Sequence, residues 1–315
     1  MLERLTDCDA KAMAEAVTGF VADAAAVHLC HPLGDVTGGA GFVETAFDPL
    51  WQAMPDVERR VAISLRGTDA FGQDWLGQAG HYSGRFAQAF LGIPPTGRLA
   101  HLRFHEFYRI EDGRAVEVQA IWDLPDLMLQ AGVWPMGPPL GQTGLVPGPM
   151  TQDGLRISGD GTRAMRIVGD MLDHLHLSPQ GEAAMQLPRF WHPRCSWYGP
   201  GGIGTARGIR GFRDHHQIPF LDAMPDRRGH VDEGHFFGQG DYVGFTAWPG
   251  MSMTVTGGGW LGIAGAGQAI TMRSLDFWRV EGDLIRENWV CVDLLHVWEQ
   301  LGVDVLARMR ELCRP

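Results

Sequence analysis

The 315 residues carry 26 Lys and Arg against 37 Asp and Glu, a net charge of −11, and 45% of them are hydrophobic. Such a chain can build sizeable cores, so disorder throughout is not expected, and its acidic balance repels phosphate, so neither nucleic acid nor an anionic membrane is an expected partner. No apolar run reaches the roughly 18 residues of a membrane span, and Cys8, Cys30, Cys195, Cys291 and Cys313 form no CxxC pair, which argues against a disulfide framework or zinc ribbon and fits a reducing cytoplasm.

In chain order, the charged start MLERLTDCDAKAMAEAV does not read as a signal peptide. KAMAEAVTGFVADAAAV (11–27) predicts a helix, and FVETAFDPLWQAM (42–54) a second one that Pro55 ends. RLAHLRFHEFYRI (98–110) alternates as a strand does. His101, Arg103, His105, Phe107 and Arg109 lie on one side, and Leu102, Phe104, Tyr108 and Ile110 on the other. Asp112-Gly113 is a hairpin turn into a second strand ending at Asp123, and a short helix over 124–131 stops at Gly132. Residues 134–162 are rich in Pro and Gly and predict a linker or a flap over a pocket. RAMRIVGDMLDHL (163–175) is again helical. AITMRSLDFWRV, a turn at Gly282-Asp283, and LIRENWVCVD repeat the strand pair before a helix over 294–301 and Gly302.

The echo is a duplication. One offset of 170 carries Asp123 to Asp293, Gly132 to Gly302, AMPD at 53–56 to AMPD at 223–226, and Gly92-Ile93 to Gly262-Ile263. It also lays EFYRIEDG (106–113) on DFWRVEGD (276–283). The expected organisation is a first domain over 1–134, a linker over 135–162 and a second domain over 163–315. Helices followed by hairpin strands within each copy mean an α+β fold, an antiparallel sheet with helices on one face.

LGIPPTGRLAHLRFHEFYRIEDGRAVEVQAIWD and RENWVCVDLLHVWEQLGV resemble the second half of a SnoaL-like polyketide cyclase, and AMPD sits where that family has a Pro-Asp after its second helix. The resemblance implies two tandem cone-shaped, strongly curved antiparallel sheets wrapped around N-terminal helices, the nuclear-transport-factor-two-like fold. It further implies a small-molecule substrate, an aldol-type ring closure without metal or organic cofactor, and an acid/base aspartate at the end of the last strand. That residue falls on Asp293 and, in the first copy, on Asp123. An isomerase or lyase reaction, a hydrolase or dehydratase, and a non-catalytic binding or scaffold protein are the alternatives. The copies are expected to pack as an intramolecular pseudo-dimer, with further homo-oligomerisation left open.

Both aspartates also precede a predicted helix, where Asp is among the best caps. Chemistry would need a carboxyl raised toward neutrality by burial, whereas capping N–H groups lower it. Glu287, Trp289, Cys291 and Asp293 share one strand face. Trp289 and Phe277 on the neighbouring strand are therefore candidate substrate contacts, as are Trp191, His192, His216 and His235, with sheet packing as the plainer reading of the tryptophans and a surface or satisfied core position as that of the histidines. HVDEGHFF (230–237) is a weak metal candidate, and GGGWLG (257–262) lacks the strand–helix context of a dinucleotide site, so neither metal nor cofactor is expected.

Overall fold

The computed structural model describes residues 9–313, so Cys8 lies outside them. The first repeat opens with a helix, Ala10–Phe20, whose first turn is capped by Asp9 at 2.8 Å from the N–H of Ala12. Met13, Val17 and Phe20 form its inward face. At Val21 the backbone turns extended and β1 (Val21–Leu29) begins. The stretch expected as one helix to residue 27 is therefore a helix and a strand. Ala25, Val27 and Leu29 are buried at period two, and pairing with the sheet outweighs the helix preference of the alanines.

After β2 (Asp35–Thr37) the helical stretch from Gly38 to Ala53, interrupted by a π turn over Val43–Phe47, packs on β1 and β2. β3 (Glu58–Thr68), β4 (Asp74–Arg85), β5 (Leu99–Glu111) and β6 (Arg114–Trp122) complete a sheet of order β2-β1-β6-β5-β4-β3. The second repeat gives β7 (Trp191–Tyr198), β8 (Thr205–Arg207), β9 (Arg228–Gly229), β10 (His235–Gln239), β11 (Tyr242–Val255), β12 (Gln268–Glu281) and β13 (Leu284–Val292). Their order is β10-β11-β12-β13-β7-β8, with β9 also on β11. Pairing is antiparallel except for β1 with β6 and β7 with β13. Register shifts at Arg109/Ile110 and Arg279/Val280 recur at the same place in both repeats and bend each sheet around its helices.

The offset lays Ala10–Phe20 on residues 180–190. There two short helices, Glu182–Met185 and Leu187–Phe190, are separated by Gln186 at φ 47°. The helix Thr162–Leu175 therefore lies ahead of the repeated unit, and it packs on β10 and β11.

The two sheets meet face to face. Phe107 stacks on its own counterpart Phe277, ring centres 4.8 Å apart, and His105 Nδ1 lies 2.7 Å from the carbonyl of Leu275. Arg103 donates to the carbonyls of Tyr198, Gly199 and Val290. A side chain at Gly77 would strike both Phe rings at 2.9 Å, so glycine permits this approach. Residues 134–161 form an ordered strap. The Gly154 carbonyl accepts from the Ser64 N–H, Gln142 pairs with Thr205, and Trp134 packs on Trp298. Cys30, Cys195 and Cys291 are buried free thiols. No helix of the described residues is long and apolar enough to cross a membrane.

Candidate active site

The interiors of the two repeats are built from equivalent positions and differ in what fills them. In the first, Glu106 on β5 is fully buried and saturated. Arg59 reaches it at 2.6 Å, Tyr82 at 2.7 Å, Tyr108 at 2.6 Å and the indole of Trp122 at 2.9 Å. Arg59 also meets Gln78 at 3.0 Å and lies over the Phe104 ring. A buried ion pair closed by this many hydrogen bonds is a filled core.

Strand registers identify the counterparts. Glu106 pairs with Gln78, as Asp276 pairs with Phe245, and Leu102 with Tyr82, as Met272 pairs with Met251. Arg59 opposes Tyr82, as Gly229 opposes Met251. Trp122 opposes Phe104, as Val292 opposes Ser274. Each partner of Glu106 is thus replaced: Arg59 by Gly229, Tyr82 by Met251, Tyr108 by Trp278 and Trp122 by Val292. The carboxylate itself is shortened to Asp276.

The result is a cavity of about 140 Å³. Met272, Ser274, Asp276 and Trp278 project into it from β12, and Asn288, Val290 and Val292 from β13. Trp197, Phe212, His216 and Phe220 form the wall beneath, and the turn after the glycine run 257–259 supplies Trp260. Met171, Leu172, Leu175 and His176 cover it from the helix Thr162–Leu175 and its end. None of the strap residues 134–161 lines it.

Burial in this apolar space pushes the Asp276 carboxyl up to about 7, against the pull of the Ser274 hydroxyl and of the Arg103 charge behind the sheet. His216 stacks on Trp197 at 4.0 Å and 13°, and burial together with Arg227 pushes it down to about 3, so its ring is neutral. Asn288 donates to the Phe277 carbonyl at 3.0 Å, which holds its amide in place. A carboxyl that titrates near neutrality is suited to both taking and returning a proton.

Of the residues singled out in the sequence, His216 and Trp191 line this cavity. Asp293 and Asp123 do not. Asp293 caps the helix Leu294–Gln300 through the His296 N–H at 3.2 Å, accepts from the His31 N–H at 3.0 Å and pairs with Arg273 at 3.3 Å. Asp123 caps Leu124–Gln130 through the Asp126 N–H and accepts from the Gly201 N–H at 2.9 Å. Since Gly201 lies 170 residues after His31, each aspartate caps its own helix and ties it to the other repeat. Burial raises both carboxyls despite these donors, so capping and an elevated pKa coexist, and the expected opposition between them does not separate the two readings. Phe277 lies in the seam between sheets, and Trp289 donates to the Pro147 carbonyl of the strap at 2.9 Å and stacks on Tyr198. His192 contacts Arg194 and Arg286 outside the cavity, and His235 bonds Asp69 of the first repeat at 2.7 Å. Among the described residues no group of three or more His, Cys, Asp or Glu is arranged to hold a metal ion.

Sequence reading passed over Asp276, Asn288 and Arg227. The available signal was the lone acid in the apolar face of each β5-type strand, Glu106 among Leu102, Phe104 and Tyr108, and Asp276 among Met272, Ser274 and Trp278.

A curved α+β sheet wrapped on helices, occurring twice, defines a nuclear-transport-factor-two-like fold in tandem. The family model for SnoaL-like polyketide cyclases matches residues 1–131 and again 178–301, and the chain belongs to that family. Among solved structures it is similar to TsrD from Streptomyces laurentii, at 24% identity over 44% of this chain and 96% of that one, TM-score 0.36. It is also similar to IdmH from Streptomyces antibioticus, a polyketide cyclase candidate, at 23% identity over 39% of this chain and 88% of that one, TM-score 0.34. A third is an NTF2-like protein from Burkholderia xenovorans, at 16% identity over 45% and 97%, TM-score 0.34. Comparison with curated proteins gave no match.

Proposed function

We propose that the second repeat is a small-molecule acid/base active site acting on a carbonyl-bearing substrate, with Asp276 as the proton-transferring group. The observation that carries this is the replacement of the one cation and the three neutral donors that satisfy Glu106, which leaves Asp276 facing a cavity with its carboxyl raised to about 7. The ionised carboxylate takes a proton from a carbon beside a carbonyl, and the electron pair moves onto the carbonyl oxygen as an enolate. In an aldol-type cyclisation the enolate carbon then bonds to a second carbonyl carbon, and the Asp276 carboxylic acid returns its proton to the new alkoxide. An isomerase returns the proton to a different atom, and a lyase runs the carbon–carbon step in reverse.

The family resemblance assigns this role to Asp293. The three donors around its carboxylate and its place outside the cavity favour Asp276 instead. The saturated first repeat supports a scaffold role there, and the reciprocal caps support an intramolecular pair in place of a homodimer. The test is deuterium exchange at the acidic carbon of β-dicarbonyl compounds, followed by NMR, in wild type, Asp276→Asn and Asp293→Asn. Loss in Asp276→Asn alone is expected. Full exchange in Asp276→Asn would sink the proposal.

A further inference from the structure

The side chains around the cavity holding Asp276 carry polar hydrogens that nothing among the described residues accepts. The indole N–H groups of Trp191, Trp260 and Trp278 and the Nε–H of Arg227 are buried without an acceptor among the described residues, and His216 Nδ1 is likewise without a partner. Protein interiors pair nearly all such groups. These five belong to side chains around one cavity, and apart from His216, whose tautomer is open, they are donors. The complementary ligand is therefore rich in acceptor oxygens.

Arg227 gives the acceptor a charge. One Nη2–H goes to the Leu175 carbonyl at 3.1 Å, and among the described residues no carboxylate stands within ion-pairing distance of the guanidinium. Burial lowers it, and Arg227, just before β9, and Asp276, on β12, both line the cavity. A largely desolvated cation is costly until an anion meets it, and a carboxylate matches its planar fork.

Size and shape set the rest. A cavity of about 140 Å³ is close to the roughly 150 Å³ that holds one benzene. Its walls are flat rings: His216 lies parallel on Trp197, and Trp260 meets Phe220 edge-on at 5.6 Å.

We infer that this site takes a planar, single-ring-sized carboxylic acid, an aryl or cyclic keto acid, with its carboxylate on Arg227 and its carbonyl end toward Asp276. The inference rests on the acid/base reading above for the placement of the carbonyl, and on Arg227 and the cavity for the acid and the ring. A space of this size favours one ring over larger fused-ring acids.

Calorimetric titration of the full chain with benzoate, benzamide, toluene and anthracene-2-carboxylate tests it. Benzoate binds saturably, and benzamide at least about tenfold more weakly. Anthracene-2-carboxylate binds more weakly than benzoate. Arg227→Met loses about tenfold for benzoate and leaves toluene binding unchanged. Arg227→Lys, which keeps the charge, retains most of the benzoate affinity and decides the matter should the Met variant fold poorly. Equal binding of benzoate and benzamide, unchanged benzoate affinity in Arg227→Met, equal losses in both variants, or preference for the three-ring acid would overturn the inference. If benzoate selectivity stands while Asp276→Asn keeps full exchange, the acid/base reading alone fails. If Asp276→Asn abolishes exchange while Arg227 does not select benzoate, this inference alone fails.

Discussion

Asp276→Asn should make the protein more stable at alkaline pH and less active. The wild-type carboxyl moves from 3.8 to about 7 on folding because burial disfavours its charge. Between those values the folded chain holds a proton that the unfolded chain has released. Stability from this group is therefore complete below about pH 4 and is lost as pH rises through about 7. Roughly three units correspond to about 4 kcal/mol, of which about 2.5 kcal/mol falls between pH 5 and pH 8. Asparagine has the same shape and no charge to bury, so Asp276→Asn escapes this loss. Urea unfolding of both proteins at unit steps from pH 5 to pH 8 gives the stability difference directly. Other groups that titrate in this range, such as Asp126 at about 7, are common to both proteins and cancel. The expected difference grows in favour of the variant up to pH 7 and then levels. Substrate exchange by the wild type should rise over the same interval, as the carboxylate forms. A difference that stays flat from pH 5 to pH 8 would refute the claim that Asp276 is a buried, unpaired acid.

Asp293→Ala should cost about 2–3 kcal/mol, through the lost cap and the unpaired His31 N–H, while the folded variant keeps its exchange activity; activity lost without stability loss would return the chemistry to Asp293. Arg59→Met should cost about 3–5 kcal/mol by stranding the Glu106 charge, and Arg59→Met with Glu106→Gln should recover much of it; an additive double mutant in denaturant titration would argue against the ion pair. Gly229→Leu should abolish both ligand binding and exchange with the fold intact by circular dichroism. Even its Cβ meets His176 Nε2 at 2.8 Å, and the rest of the side chain enters the space Arg59 fills in the first repeat. Retained benzoate binding in that variant would show that the cavity is not the site.

The fold was legible because its signals are local and occur twice. The alternation over 98–110, the Asp112-Gly113 hairpin and the glycines after both short helices appear as read. The first helix was overrun because alanine-rich 21–27 has helical propensity and its pairing with β2 and β6 makes it a strand. The site was less legible because strand parity tells which residues share a face, not which face looks inward. Glu287, Trp289, Cys291 and Asp293 do share a face, and it is the one turned to the strap and the other repeat. A shift of one residue separates it from the face carrying Asn288, Val290 and Val292. Sequence cannot supply the partner sheet that decides between them.

The comparison that resolves parity lies inside the chain. Glu106 and Asp276 are 170 residues apart, and so are Arg59 and Gly229, yet the first pair keeps its charge and the second loses its cation altogether. Reading these substitutions jointly requires knowing that β3, β4 and β5 bring Arg59, Tyr82 and Glu106 together, which is long-range pairing. Once it is known, the duplication has a physical logic. A cavity with an unpaired acid, an uncompensated guanidinium and bare indole N–H groups is destabilising in itself. The filled repeat contributes the opposite, and Arg103, Phe107, Asp123 and His31 carry its rigidity across the seam to the strands and helix ends that bound the cavity. Cutting those ties should therefore loosen the second repeat more than the first, with faster amide exchange in β12 and β13 than in β5 and β6 of an Asp123→Ala, Asp293→Ala double variant. Equal exchange in the two sheets would mean that the repeats are stable independently and that the filled one does not support the open one.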